Sequence, residues 1–238
     1  MASGNDADPD AISPRIRAQS YEGISARRQA LRRIAAANRA LIEDMVGTDV
    51  DPEDLDRVAA ELEALAARFR NDRPRSMYEG MAEVAMSGGD IRPFFDHSPL
   101  IGLANPLAPP IVIDFGTDVV TGRVTFGPLY EGPPGCVHGG FVAAAFDEVL
   151  GSAQTFSGSP GMTGRLTVSY RKPTPLHTPL VIEGRFDRQE GRKVFTTGTI
   201  VADGVVTAEA EGLFITTDVT KFRELAESFN RRVAEGRP

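Results

Sequence analysis

The sequence predicts an α+β fold in which an antiparallel sheet wraps around one central helix. Three observations lead there. A single strongly apolar helical segment lies at 139–154, strand-like segments precede and follow it, and Glu190-Gly191 and Asp203-Gly204 mark tight turns between the later ones. The 238 residues, 41% of them hydrophobic, suffice for one good core with an added subdomain.

Taken in order, residues 1–22 are polar and acidic and read as a disordered N-terminus, unlike a secretory signal or a transit peptide. Residues 23–72 read as a helical hairpin extension. Leu31, Ile34, Asn38, Leu41 and Met45 recur at helical spacing, as do Leu55, Val58, Leu62, Leu65 and Phe69. Between the two stripes, Gly47 stops the first helix, Asp51 caps the second and Pro52 opens it. The first helix is basic (Arg27, Arg28, Arg32, Arg33, Arg39) and the second acidic, so the pair is expected to associate through opposite charge, as a solvated arm packed on the body or on a second subunit.

Residues 73–110 form a Pro/Gly-rich connector whose Phe94, Phe95, Leu100 and Leu103 are candidates for core or for a tunnel wall. Strands are expected at "PPIVIDF", "VVTGRVTFGP", "MTGRLTVSYRK", "LVIEGRFDRQ", "KVFTTGTIVA" and "VVTAEAEGLFIT", within a domain spanning 111–217. Residues 218–238 read as a C-terminal helical tail.

A net charge of −7 argues against general nucleic-acid binding, and no apolar run reaches the roughly 18 residues of a membrane span. One cysteine, Cys136, excludes an internal disulfide, and three histidines argue against a zinc site. A soluble cytoplasmic protein is the expectation.

The chemistry concentrates in "EGPPGCVHGGFVAAAFDEVLG", residues 131–151. On a helix, Asp147 shares its face with Gly140, Ala143, Ala144 and Gly151, a stripe bare enough for a backbone or thin ligand to approach. Glu148 neighbours Phe141, Ala144, Ala145 and Ser152, a less open face, so Asp147 is the better functional candidate. At the helix start, the amides of Gly139 and Gly140 are unpaired donors able to polarise a carbonyl. Gly139 and Asp147 are eight residues apart, about 12 Å along the axis, too far to serve one carbonyl within a chain. A second, antiparallel helix would supply the missing half, which predicts a homodimer with two shared sites, or a dimer of dimers.

The same stretch resembles the signature of the hotdog-fold acyl-CoA thioesterases of the phenylacetate-pathway (PaaI) and THEM-like group: Glu-Gly-Pro-Pro-Gly, two residues, His-Gly-Gly, then Asp nine positions after the His. The likeness runs over about 111–217. It implies Asp147 as the catalytic carboxylate, nucleophile or general base, with the Gly139 or Gly140 amide polarising the thioester carbonyl. It further implies a positioning role for His138 and a hold on the attacking water for Thr163, sixteen residues after the Asp. Coenzyme A contacts would fall at Ser169, Arg171, Arg192 and Lys193, with CoA a part of the substrate and no separate cofactor. By simple alternation, Thr163 shares a polar strand face with Arg165, Thr167, Ser169 and Arg171, while Met162, Leu166, Val168 and Tyr170 face the helix. A Cys136–His138 nucleophilic pair lacks an orienting third residue. The alternative of a different class is a non-catalytic acyl-CoA-binding regulatory module; a hotdog dehydratase fits the His-Gly-Gly and Asp pattern less well.

Overall fold

The computed structural model describes residues 24–70, 95–159 and 161–217, with isolated positions between 224 and 235. The expectations for residues 1–22, for Phe94 and for most of the C-terminal tail lie outside the described residues.

Two helices come first, α1 (Ala26–Met45) and α2 (Pro52–Ala67). Strands β1 (Val112–Phe115) and β2 (Val120–Val124) precede α3 (Gly139–Ala153), and β3 (Gly161–Tyr170), β4 (Leu180–Glu190), β5 (Lys193–Ala202) and β6 (Val205–Thr216) follow it. The six strands form one antiparallel sheet in the order β1-β2-β4-β5-β6-β3. The expected α+β class is therefore the observed one, and α3 agrees with the predicted 139–154 segment to one residue.

Val142, Ala145, Phe146, Val149, Leu150 and Ala153 bury the inner face of α3 against Ile182, Val194, Ile200 and Phe214 of the sheet. A close approach of helix to strands makes this possible. At Gly184 a Cβ would stand 2.9 Å from Val149 Cγ1, and at its partner Gly198 another would stand 2.9 Å from Leu150 Cδ2. Two strands without side chains at the crossing point let α3 sit low on the sheet.

The N-terminal helices form on either side of Gly47, and α1 takes one of the two expected placements, packed on the body. Helix α1 uses Arg28, Arg32, Ala35 and Arg39, at 4,3,4 spacing, to dock on the body. Arg32 donates to Asp96 Oδ1 at 2.7 Å, Arg28 also binds Asp96, and Arg39 donates to Asn105 O at 2.8 Å. Asp96 and Arg32 are both buried, where each charge requires the other. The arginines thus answer the 96–105 segment rather than the acids of α2. Helix α2 buries no residue, and Leu55, Val58, Leu65 and Phe69 are exposed. Of the connector residues proposed as core or tunnel wall, Leu100 packs against the core cluster and neighbouring Ile101 is fully within it.

The two ends of α3 as a candidate active site

The turn before α3 is built to fix where the helix starts. Glu131 Oε1 accepts from the Gly135 amide at 2.6 Å, and Gly132 donates to Cys136 O at 2.9 Å. Gly135 has φ +73°, a left-handed conformation that favours glycine. At Gly132 a Cβ would fall 2.8 Å from His138 Cα, so the turn lies directly beneath the helix start. From the other side, His138 donates its amide to Tyr130 O and Val137 to Thr174 O, both at 2.8 Å.

His138 is the N-cap. Its Nδ1 accepts from the Gly140 amide at 3.0 Å, which requires the other ring nitrogen to carry the proton of a neutral imidazole. This separates the two glycines that sequence reasoning left equivalent. The Gly140 amide donates to the His138 ring, and of the two expected amides Gly139 is the one left for a carbonyl. The amides of Phe141 and Val142 turn to His138 O. The Gly139 amide has no partner among the described residues and stands at the positive end of the helix dipole. No Cys136–His138 hydrogen bond occurs among the described residues; Cys136 Sγ lies 3.6 Å from Pro134 O.

Asp147 lies two turns along α3, half-buried, and its Oδ1 accepts from Thr163 Oγ1 at 2.8 Å. That contact contradicts the simple alternation expected for β3. Thr163 pairs with Phe214 and Arg165 with Leu213, leaving Gly164 as an extra residue in a bulge. One extra residue inverts the parity of everything before it. Thr163 and Gly161 therefore join Leu166, Val168 and Tyr170 on the helix face, and Met162 moves to the opposite face, where it is exposed. The β-period alone cannot reveal this; the glycine inside a strand run was the available signal.

Tyr170 has a role that sequence reasoning missed. Its hydroxyl donates to Gly139 O at 2.8 Å, tying the far end of β3 to the start of α3. Two contacts thus tie α3 to the edge strand: Tyr170 to Gly139 at one end and Thr163 to Asp147 toward the other. The strand is one of the two edges of the sheet, with Tyr170 and Met162 well exposed.

One chain does not bring the four expected coenzyme A contacts together. Ser169 and Arg171 lie at the Tyr170 end of β3, in a groove on the sheet's outer face beside Glu183, Glu209 and Glu211. Arg171 is bound twice by Glu209 Oε2, at 2.7 and 2.9 Å. Arg192 and Lys193 lie at the opposite end of the sheet, where Arg192 donates to Thr216 O at 3.2 Å and Lys193 is exposed. No described helix is long and apolar enough to cross a membrane.

Residues 134–209 match the family model of the Thioesterase superfamily. The acyl-coenzyme A thioesterase THEM4 of Xenopus laevis is 41% identical over 91 residues, covering 37% of this chain and 41% of that protein. Its Bos taurus counterpart is 38% identical over 97 residues, covering 40% of each. The chain thus spans about two-fifths of the curated relatives it matches. A solved thioesterase superfamily protein is 36% identical, superposes with a TM-score of 0.65, and covers 78% of this chain and 94% of its own. That relationship, over nearly the whole of the solved relative and on the sheet and helix described above, makes this chain a hotdog-fold member of the thioesterase superfamily.

Proposed function

We propose that this protein hydrolyses acyl-CoA thioesters to the free acid and CoA, at two sites shared across a homodimer. The observation that carries the reading is the pairing of a free amide at Gly139 with a carboxylate oriented by Thr163, both beside the open edge of β3. The names of the THEM4 relatives supply the substrate class.

The free edge also supports the shared site. A ten-residue strand with unpaired backbone groups and exposed Met162 and Tyr170 is a ready surface for a second copy. If two β3 strands pair antiparallel about a two-fold axis near Leu166 and Thr167, Thr163 of one lies opposite Tyr170 of the other. Thr163 marks the Asp147 end of α3 and Tyr170 the Gly139 end. The pairing therefore brings one chain's carboxylate to the partner's free amide. It also brings the two distant groups of candidate CoA-binding residues closer than one chain does.

The Gly139 amide then donates to the thioester carbonyl oxygen and stabilises the charge that develops on it. The partner subunit's Asp147 removes a proton from water, whose oxygen bonds to the carbonyl carbon. As the tetrahedral intermediate collapses, the C–S bond breaks and the protonated carboxyl returns its proton to the leaving CoA sulfur. Thr163 occupies Oδ1 and leaves the other oxygen without a partner among the described residues, available to water. A panel of acyl-CoAs with a thiol-trapping reagent tests the activity. Release of CoA that disappears in Asp147→Ala supports it; no release from any chain length, or full activity in that variant, excludes it.

A further inference from the structure

Beside the contact between α3 and β3 lies a buried polar group that thioester cleavage does not use. Asp147, Gly151 and Gln154 follow one another at helical spacing, continuing the bare stripe toward the C-terminal end of α3. Gln154 is only 4% exposed, its Oε1 is buried without a hydrogen-bond partner, and its side-chain amide makes no hydrogen bond among the described residues. Its backbone N–H is satisfied by Leu150 O and Ser152 O, so only the side chain is idle. Buried amides are nearly always paired, and an idle one at a site is a candidate for ligand contact.

The position of the amide is a built feature of this contact. Oε1 lies 2.9 Å from where a Gly161 Cβ would stand, and any side chain on that strand residue would displace it. Gly161 is on the same face of β3 as Thr163, so the Gln154 amide and the Thr163–Asp147 pair lie along the same side of the α3–β3 contact. Gly151, between the two polar residues, leaves the Phe214 ring as an apolar wall, 3.6 Å from its own missing Cβ. Thr196 Oγ1, the other orphaned buried atom among the described residues, lies at Gly212 on the far edge of that ring.

The geometry points to Gln154 as the residue that reads the far end of the acyl group, favouring chains with a hydroxyl about 7–10 Å from the thioester carbon over plain alkyl chains of equal length. The span follows from the seven-position separation of Asp147 and Gln154, about 10 Å of helix. A hydroxyl both donates and accepts, matching the two ends of a primary amide. A site with a buried hydrogen-bonding group discriminates more sharply against an analogue lacking the match than an apolar pocket does against one extra methylene. Toward the N-terminus the stripe ends at the Tyr170–Gly139 bond. This inference rests on the acyl-CoA reading above.

The test is binding of non-hydrolysable thioether analogues to the full chain by titration calorimetry, so that it needs no turnover. The 6-hydroxyhexyl and 8-hydroxyoctyl CoA thioethers are compared with their hexyl and octyl counterparts. At least one hydroxylated analogue is expected to bind about tenfold or more tightly than its alkyl match. Gln154→Met is expected to erase that preference. Equal affinities within both pairs in the wild-type chain overturn the inference, as does a preference that survives Gln154→Met, or no binding of any analogue. The wild-type comparison decides even if the variant folds poorly. Hydrolysis of the acyl-CoA panel, assayed separately, distinguishes the two readings: turnover with no hydroxyl preference sinks only this one, and preference without turnover of any panel member sinks only the hydrolase.

Discussion

Thr163 and Asp147, sixteen residues apart and on different elements, are joined by a 2.8 Å hydrogen bond in which the hydroxyl donates to the carboxylate. The bond exists because the bulge at Gly164 turns Thr163 toward the helix. It fixes one carboxylate oxygen and orients the other.

If that orientation matters for the proposed reaction, Thr163→Val lowers kcat by about tenfold, in line with losing one bond to a charged group. KM and melting temperature change little, because Thr163 is exposed. Thr163→Ser keeps the hydroxyl and is expected to keep most of the activity. Steady-state kinetics of both variants check this, and equal losses in Val and Ser would remove the bond from the account.

Asp147→Asn is nearly isosteric and removes the base. The expected fall in kcat is about 10²–10⁴-fold with the fold intact, read by activity and circular dichroism together. Single turnover in ¹⁸O-labelled water tests the nucleophilic route: label in Asp147 marks an acyl–Asp147 anhydride opened by water at the Asp147 carboxyl carbon.

Much of the fold was legible because its elements are local. The apolar run of α3, the β-turn glycines and the strand patterns lie in contiguous sequence, and β5 and β6 match the predicted segments residue for residue. What escaped depends on partners distant along the chain. Arg28, Arg32 and Arg39 read as a basic helix face, but nothing local announces that Asp96 and the carbonyls near 103–105 receive them. Tyr170 read as packing because its acceptor is a backbone carbonyl, Gly139 O, which leaves no mark in the sequence. The choice between Gly139 and Gly140 likewise turned on a rotamer of His138.

Asp96 tests how the N-terminal helix is held. Removing its carboxylate breaks a buried ion pair with Arg32, which typically destabilises by about 3–5 kcal/mol. Asp96→Ala is therefore expected to lower the melting temperature by roughly 6–15 °C, and proteolysis is expected to cut near α1 first. An unchanged melting temperature would show that α1 contributes nothing to the stability of the body.

Gly198 tests the close approach of α3 to the sheet. A Cβ there would fall 2.5 Å from Glu183 O and 2.9 Å from Leu150 Cδ2. Gly198→Ala is expected to destabilise by about 1–3 kcal/mol, measured by urea unfolding. A neutral effect would mean the strands spread without loss.

The shared site is the central claim, and complementation between two disabled chains tests it most directly. Gly139 is the first residue of α3, where proline is well tolerated, and His138 before it has the extended backbone (φ −59°, ψ 132°) that a following proline favours. Gly139→Pro thus deletes the free amide while leaving the helix in place. Alone, Gly139→Pro and Asp147→Ala are each expected to be inactive. After co-refolding in equal amounts, half of the dimers are mixed, and each mixed dimer has one intact site of two. The account predicts recovery of about a quarter of wild-type activity. No recovery, with mixed dimers demonstrated by mass, would contradict it by placing both groups of each site in a single chain.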